Sequence, residues 1–148
     1  CEGSGFFQHG HTYIGHPVAC AAADAVLKKL TEGGMVARAA RMGARLEAAL
    51  RNAFGQHPHI GDIRGRGMFQ GLEIVKDRES KDPFAPGLNV AARLKKAAFA
   101  NGLICYPMGG TIDGQRGDHI LLAPPFIITD AQIDELVGKL ATSLAEVL

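Results

Sequence analysis

Residues 1–16 are rich in Gly and His and repeat with neither a helical nor a strand period, which predicts a loop. Pro17 then stands where a helix favours its first residue, with a preset φ and no N–H to leave unpaired. The run VACAAADAVLKKL over 18–30 is dense in Ala and places Lys28 and Lys29 where the helix dipole favours cations, so a first helix is predicted there. TEGG at 31–34 stops it. Met35, Val36, Ala39, Met42, Leu46, Leu50 and Phe54 recur at spacings of three and four and predict a second helix, with Arg38, Arg41, Arg45 and Glu47 on its wet side.

After a breaker at 55–58, the segments 60–64 and 68–75 have strand length and partial alternation, flanking a bend at Gly65, Arg66 and Gly67. A polar loop covers 77–86. A third helix is predicted over 88–101, with Leu88, Ala91, Leu94 and Ala98 as its buried stripe and Asn101-Gly102 as its stop. A short strand at 103–106, a Gly-rich loop at 108–117 and a strand at 119–122 follow, the last ended by Ala123, Pro124 and Pro125. Thr129 and Gln132 have the spacing of a capping box, in which each side chain satisfies a free N–H of the other's backbone. The final helix carries Ile133, Leu136, Val137, Leu140, Leu144 and Val147 on one stripe. This order predicts an α+β domain with helices packed on one face of a small, mostly antiparallel sheet.

Composition narrows the function. The 148 residues are 47% hydrophobic and 21% charged, with a formal charge of +1, so nothing in the charge balance calls for nucleic acid or an anionic membrane surface. The longest apolar run, at 18–27, is interrupted by Asp24 and falls well short of the roughly 20 apolar residues of a membrane span. Cys1, Cys20 and Cys105 show no C-x-x-C spacing and no signal segment opens the chain; reduced thiols in the cytoplasm are expected, with Cys20 and Cys105 as small core residues. A chain that begins CEGSG rather than with Met is read as a piece of something longer.

Several constellations invite chemistry and are set aside on chemical grounds. His9, His11 and His16 are clustered, but no Cys or carboxylate completes a ligand set, so they are read as polar loop histidines and no metal is expected. Gly65, Gly67 and Gly71 only loosely imitate a dinucleotide fingerprint, since the third Gly is one residue late and the segment leads into a strand. What remains is the loop around Thr12. A hydroxyl and loose backbone N–H groups just before a helix start suit a phosphate or a carboxylate, the alternative being a plain turn.

The string HGHTYIGHPVACAAA (9–23) resembles the segment that begins the C-terminal part of class III, omega-amino-acid type, pyridoxal-phosphate aminotransferases of fold type I. IGDIRGRGMFQGLE (60–73), GLI (102–104) and LAPPFIITD (122–130) resemble that family's later motifs, in the same order, so the resemblance spans nearly all of the chain. It implies the C-terminal portion of such an enzyme, with 1–16 as a loop from the end of the large cofactor-binding domain, 17–34 as a connecting helix and 35–148 as the small domain. It implies pyridoxal 5'-phosphate as cofactor, a homodimer with shared active sites, and transfer of an amino group from an amine or omega-amino acid to a keto acid such as pyruvate.

By the same resemblance Thr12 binds the cofactor phosphate, reaching into the other subunit's active site, with His11 and Tyr13 flanking it. Pro124 and Pro125 shape a turn near the substrate entrance. Relatives often carry an Arg for the substrate carboxylate just after the strand that ends near Cys105; Tyr106 stands there instead, and Arg116 in the neighbouring loop is the candidate to supply a bidentate fork. No catalytic residue is expected in this segment. The family's cofactor-bearing lysine lies upstream of HGHTY, and Lys28, Lys29, Lys76, Lys81, Lys95, Lys96 and Lys139 read as solvated charges. A decarboxylase, epimerase or aminomutase on the same framework, or an inactive α+β interaction module, are the other readings.

Overall fold

The computed structural model describes Gly3, Gly5 and residues 9–148; the expectation for Cys1 lies outside the described residues. The chain divides into two units, Cys1–Val36 and Ala37–Leu148. The first carries α1 (Pro17–Thr31), which starts where Pro17 and the His16 cap dictate: His16 Nδ1 accepts the Ala19 N–H at 3.3 Å. No residue of α1 is buried, and Val18, Val26 and Leu27 are exposed. Cys20 is accordingly exposed and not a core residue, because the helix that carries it has no buried face in this chain. Cys105 is half-buried against the core of the second unit, and that burial pushes its thiol up, away from reactivity.

Helix α2 (Met35–Phe54) buries Met42, Gly43, Leu46, Leu50 and Phe54, whereas Val36, placed by its spacing on the apolar stripe, stays exposed. Four strands follow the two helices: β1 (Ile60–Arg66), β2 (Phe69–Ile74), β3 (Tyr106–Gly109) and β4 (Asp118–Leu122). They form one sheet in the order β1-β2-β4-β3, with every neighbouring pair antiparallel. Pairing sets the two faces: Ile63, Leu72, Ile120 and Pro107 make a buried cross-strand row, and Arg64, Gly71, Leu121 and Tyr106 make the next row on the opposite face. Pro107 has no ladder N–H to give, which is tolerable because β3 is an edge strand.

The β1–β2 bend falls later than its glycines suggest. Gly65 and Arg66 remain paired with Gln70 and Phe69, and the loop is Gly67-Met68, with Gly67 at φ +57 as a tight hairpin turn demands. Helix α3 (Val90–Ala100) also starts later than expected, because Asn89 at φ +48 breaks the helical path after a short 3-10 turn. Its buried stripe is therefore Val90, Leu94 and Ala98; Leu88 is exposed and Ala91 only half-buried. The helix ends in a Schellman motif: the Gly102 N–H donates to the Phe99 carbonyl and the Leu103 N–H to the Ala98 carbonyl, with Gly102 at φ +73. Leu103 is thus spent on stopping the helix, which is why the following strand is Tyr106–Gly109 and not 103–106.

Helix α4 (Asp130–Val147) opens on the expected capping box and buries Ile133, Leu140, Ser143 and Leu144. The buried side chains of α2, α3 and α4 share one cluster with those of the sheet's inner face, which gives the α+β architecture of helices on one side of a small antiparallel sheet. Several charges read as solvated hold the main chain instead. Lys81 Nζ donates to the Gly61 carbonyl and Lys139 Nζ to the Gly102 carbonyl. No helix among the described residues is long and apolar enough to cross a membrane.

Candidate functional site

The loop before α1 is a pair of overlapping turns. Ile14 N–H donates to the His11 carbonyl at 2.9 Å and His16 N–H to the Tyr13 carbonyl at 3.1 Å, with Gly15 at φ +76. These bonds use the main chain on either side of Thr12. Thr12 itself is exposed, and neither its hydroxyl nor its N–H has a hydrogen-bond partner among the described residues. The rings of His9 and His11 meet edge-on at 4.8 Å between centroids, Tyr13 lies 6.5 Å from His16, and His16 is committed to capping α1. Residues 9–23 contain no Asp or Glu. An unspent hydroxyl and N–H on one residue, with no carboxylate beside them, fit a phosphate.

In the second unit, the sheet face turned away from the helices carries Tyr106, Met108, Phe69, Leu121, His119, Glu73 and Arg64, none of them buried. It contains a hollow of about 470 Å³, floored by Gly71 and Leu121 and walled by Arg64, Phe69, Glu73, His119, Thr111 and Ile112. Arg64 is engaged there, donating to Asp62 at 2.9 Å and to Glu73 at 3.5 Å. The Arg64 hydrogen bond holds the Asp62 carboxyl below the usual carboxylate range.

The β3–β4 hairpin places Tyr106 and Arg116 apart. Tyr106 pairs with Leu121, whereas Arg116 lies in the loop beyond the Gly109–Asp118 pair, at the other end of β3 and about 10 Å along the strand. Arg116 Nε donates to Asp113 Oδ2 at 2.7 Å. Together with the Arg116 main-chain N–H, which is the leading cause, and the Gln115 N–H, this holds the Asp113 carboxyl down to about 2. Arg116 is therefore the internal counterion of its own loop.

Pro124 and Pro125 lie in the β4–α4 connection, whose shape depends on a residue that the apolar period had assigned to solvent. Arg38 donates from Nε to the Phe126 carbonyl at 2.8 Å and from Nη2 to the Ile127 and Ile128 carbonyls at 3.3 and 2.7 Å. One guanidinium so satisfies three consecutive carbonyls of a loop that contains two prolines. Arg45, two turns further along α2, pairs with Asp130 and Asp134 at the start of α4. The signal was present in the spacing: 38, 42 and 45 lie on one side of a helix, so both arginines flank buried Met42.

The comparisons with known proteins agree with this architecture. The sequence matches the class III aminotransferase family over residues 2–144. An uncharacterised aminotransferase of Schizosaccharomyces pombe is 50% identical over 141 residues, covering 95% of this chain and 30% of that protein. The solved (S)-enantioselective omega-transaminase of Thermomicrobium roseum is 35% identical with a TM-score of 0.84, over 97% of this chain and 30% of that one. An aminotransferase of Vibrio fluvialis, described as its PMP-bound form, is 39% identical with a TM-score of 0.83, over 96% of this chain and 29% of that one. The chain belongs to the class III aminotransferase family, a pyridoxal-phosphate-dependent class. It spans about 30% of the length of the relatives it matches.

Proposed function

We propose that this chain is the C-terminal portion of a pyridoxal-phosphate aminotransferase that passes an amino group from an amine or omega-amino acid to a keto acid such as pyruvate. In this reading residues 1–16 close the large cofactor-binding domain, 17–34 connect, and 35–148 form the small domain of a cytoplasmic homodimer with shared active sites. When bound, the cofactor supplies the carbonyl that takes up the amino group and the electron sink for the carbon that releases it. The observation that carries the reading is Thr12, exposed ahead of a capped helix, with hydroxyl and N–H both unspent among the described residues and no Asp or Glu across 9–23. Both donors would go to the cofactor phosphate across the dimer interface.

Thr12→Ala in the full-length enzyme is expected to weaken cofactor retention, measured as the absorbance lost on dialysis. Retention equal to wild type would remove the role. On the substrate side, Tyr106 offers a phenol where a carboxylate-binding Arg would stand, and Arg116 can take a carboxylate only by leaving Asp113. Arg116→Ala should raise KM for omega-amino acids and leave KM for simple amines unchanged, whereas Tyr106→Phe should alter both. Stoichiometric consumption of the keto acid separates transamination from decarboxylation or epimerisation on the same framework.

A further inference from the structure

We propose that His57 and His59 form a pH-responsive joint at the entry to β1, in which His59 accepts a proton with its contacts intact and His57 accepts one only by releasing the main chain. The inference concerns a turn outside both candidate binding regions and does not depend on the aminotransferase reading.

The hydrogen bonds assign the two tautomers. His57 Nδ1 lies 3.1 Å from the main-chain nitrogen of His59, and an N–H can only donate, so Nδ1 of His57 is bare and its single proton sits on Nε2. His59 Nδ1 lies 3.0 Å from the Lys76 carbonyl, which can only accept, so that nitrogen carries a proton. A second proton on His59 goes to Nε2 and keeps the bond to Lys76. A second proton on His57 must go to Nδ1, where it meets the His59 N–H head-on, and the ring has to leave. Burial, and after it the charge of His59, push the His57 imidazole below its ordinary value, the direction this geometry requires.

The ring that would leave is part of a larger fastening. Phe54, His57, His59 and Phe84 form a chain of edge-on and tilted ring contacts, with centroid separations of 6.4, 5.9 and 5.3 Å. The His57 carbonyl accepts the Ile60 N–H at 3.2 Å and the His59 carbonyl accepts the Val75 N–H at 3.0 Å, so the turn sets the start of β1 against the end of β2. Segment 76–84 is strapped over it: Arg78 donates to Gln56 Oε1 at 2.9 Å, Lys81 donates to the Gly61 carbonyl, and the Lys76 N–H donates to the Asp82 carbonyl at 2.7 Å.

The charged groups on that strap are Lys76, Asp77, Arg78, Glu79, Lys81 and Asp82; on the α2 side, Arg51 is turned to Glu47 and the Ile63 carbonyl. Asp77 is held below the carboxylate range first by the Ser80 N–H and in lesser part by His59. On acidification the turn and its strap open when His57 takes its second proton on Nδ1, the nitrogen that faces the His59 N–H.

Hydrogen–deuterium exchange of the full-length protein between pH 8 and 5 tests this. Protection of the 55–61 and 76–84 peptides, corrected for the intrinsic pH dependence of amide chemistry, should fall by up to about tenfold per pH unit below about 6.5, while β4 peptides hold theirs. His57→Asn supplies a carboxamide oxygen that accepts the N–H two residues on and does not titrate, so its protection should stay flat. Constant protection in the wild type, or a parallel fall in His57→Asn, would overturn the joint. Should the variant fold poorly, ring nitrogen shifts of the wild type at pH 8 decide: a proton on Nε2 of His57 and Nδ1 of His59 supports the proposal, and any other pair of tautomers sinks it.

Discussion

Helices α1 and α2 are neighbours in sequence and differ in what they bury. None of the 15 residues of α1 is buried, while five of the 20 of α2 are, although both carry apolar residues at helical spacing. Helix α1 is made by local means: Ala-rich propensity, Pro17, the His16 cap and the Asp24–Lys28 pair at 2.8 Å. Helix α2 has Arg and Gly within it, and its stripe is held against the sheet by packing. Being helical and being buried are separate facts, and only the first is decided within the segment.

The largest expected effect separates them on that basis. Leu46→Ala, at a position with 0% exposure, should cost about 3 kcal/mol in denaturant unfolding. Leu27→Ala, at 58% exposure on α1, should move the same transition of this chain by less than about 0.5 kcal/mol. If Leu27→Ala costs as much as Leu46→Ala in the full-length protein, the outer face of α1 is covered there, and the comparison becomes a map of that cover.

Glycines sharpen it next. An added Cβ at Gly43 of α2 would fall within 3 Å of the Gly67 backbone, so Gly43→Ala should destabilise by about 1–3 kcal/mol despite its better helix propensity. Gly138 of α4 has nothing within 4 Å, and Gly138→Ala should stabilise by about 0.5–1 kcal/mol. Equal effects at the two sites would mean that α2 does not rest on the β1–β2 turn.

Caps give a smaller difference. Thr129→Ala should cost about 1 kcal/mol of global stability, because α4 is part of the cooperative core. His16→Ala should reduce far-UV helicity without moving the denaturation midpoint, since no buried residue reports on α1. A midpoint shift in both would merge the two units energetically.

The smallest effect is a pH slope at Asp118, which accepts the Ala91 N–H at 3.2 Å and whose carboxyl burial pushes up, against that bond. Between its ordinary value and the raised one, the folded state keeps a proton that the unfolded chain has lost, so stability falls as pH rises through that window. Asp118→Asn retains an acceptor and should remove this slope; a slope unchanged in the variant would place its origin elsewhere.

Much of the fold was legible because its signals are local. Pro17, the capping box at Thr129 and Gln132, and the Asn101-Gly102 stop each act within a span of about six residues, and each stands where the sequence puts it. The misreadings share one cause. Leu103 resembles the start of a strand until the helix before it needs a residue to close its Schellman motif, and Leu88 resembles a core position until Asn89 turns left-handed. Arg38 and Arg45 resemble a solvated face until the β4–α4 loop arrives with carbonyls and carboxylates to satisfy.

The candidate site divides the same way. The sequence places the Thr12 hydroxyl just before a helix start, and the turn leaves that hydroxyl without a partner among the described residues. That Arg116 is spent on Asp113, and that the hairpin sets it a strand length from Tyr106, could not be read from residues only ten apart in sequence. By itself the sequence determined which segments are helices, where those helices stop, and the family to which the chain belongs, because propensity, caps and motifs act through bonds a few residues long. Only the tertiary structure decided which apolar faces are buried and which charges are spent on carbonyls. Those outcomes depend on groups brought from 20 to 90 residues away, as Gly61 is to Lys81 and Ile128 to Arg38, and on the cost of leaving such groups unpaired once water is excluded.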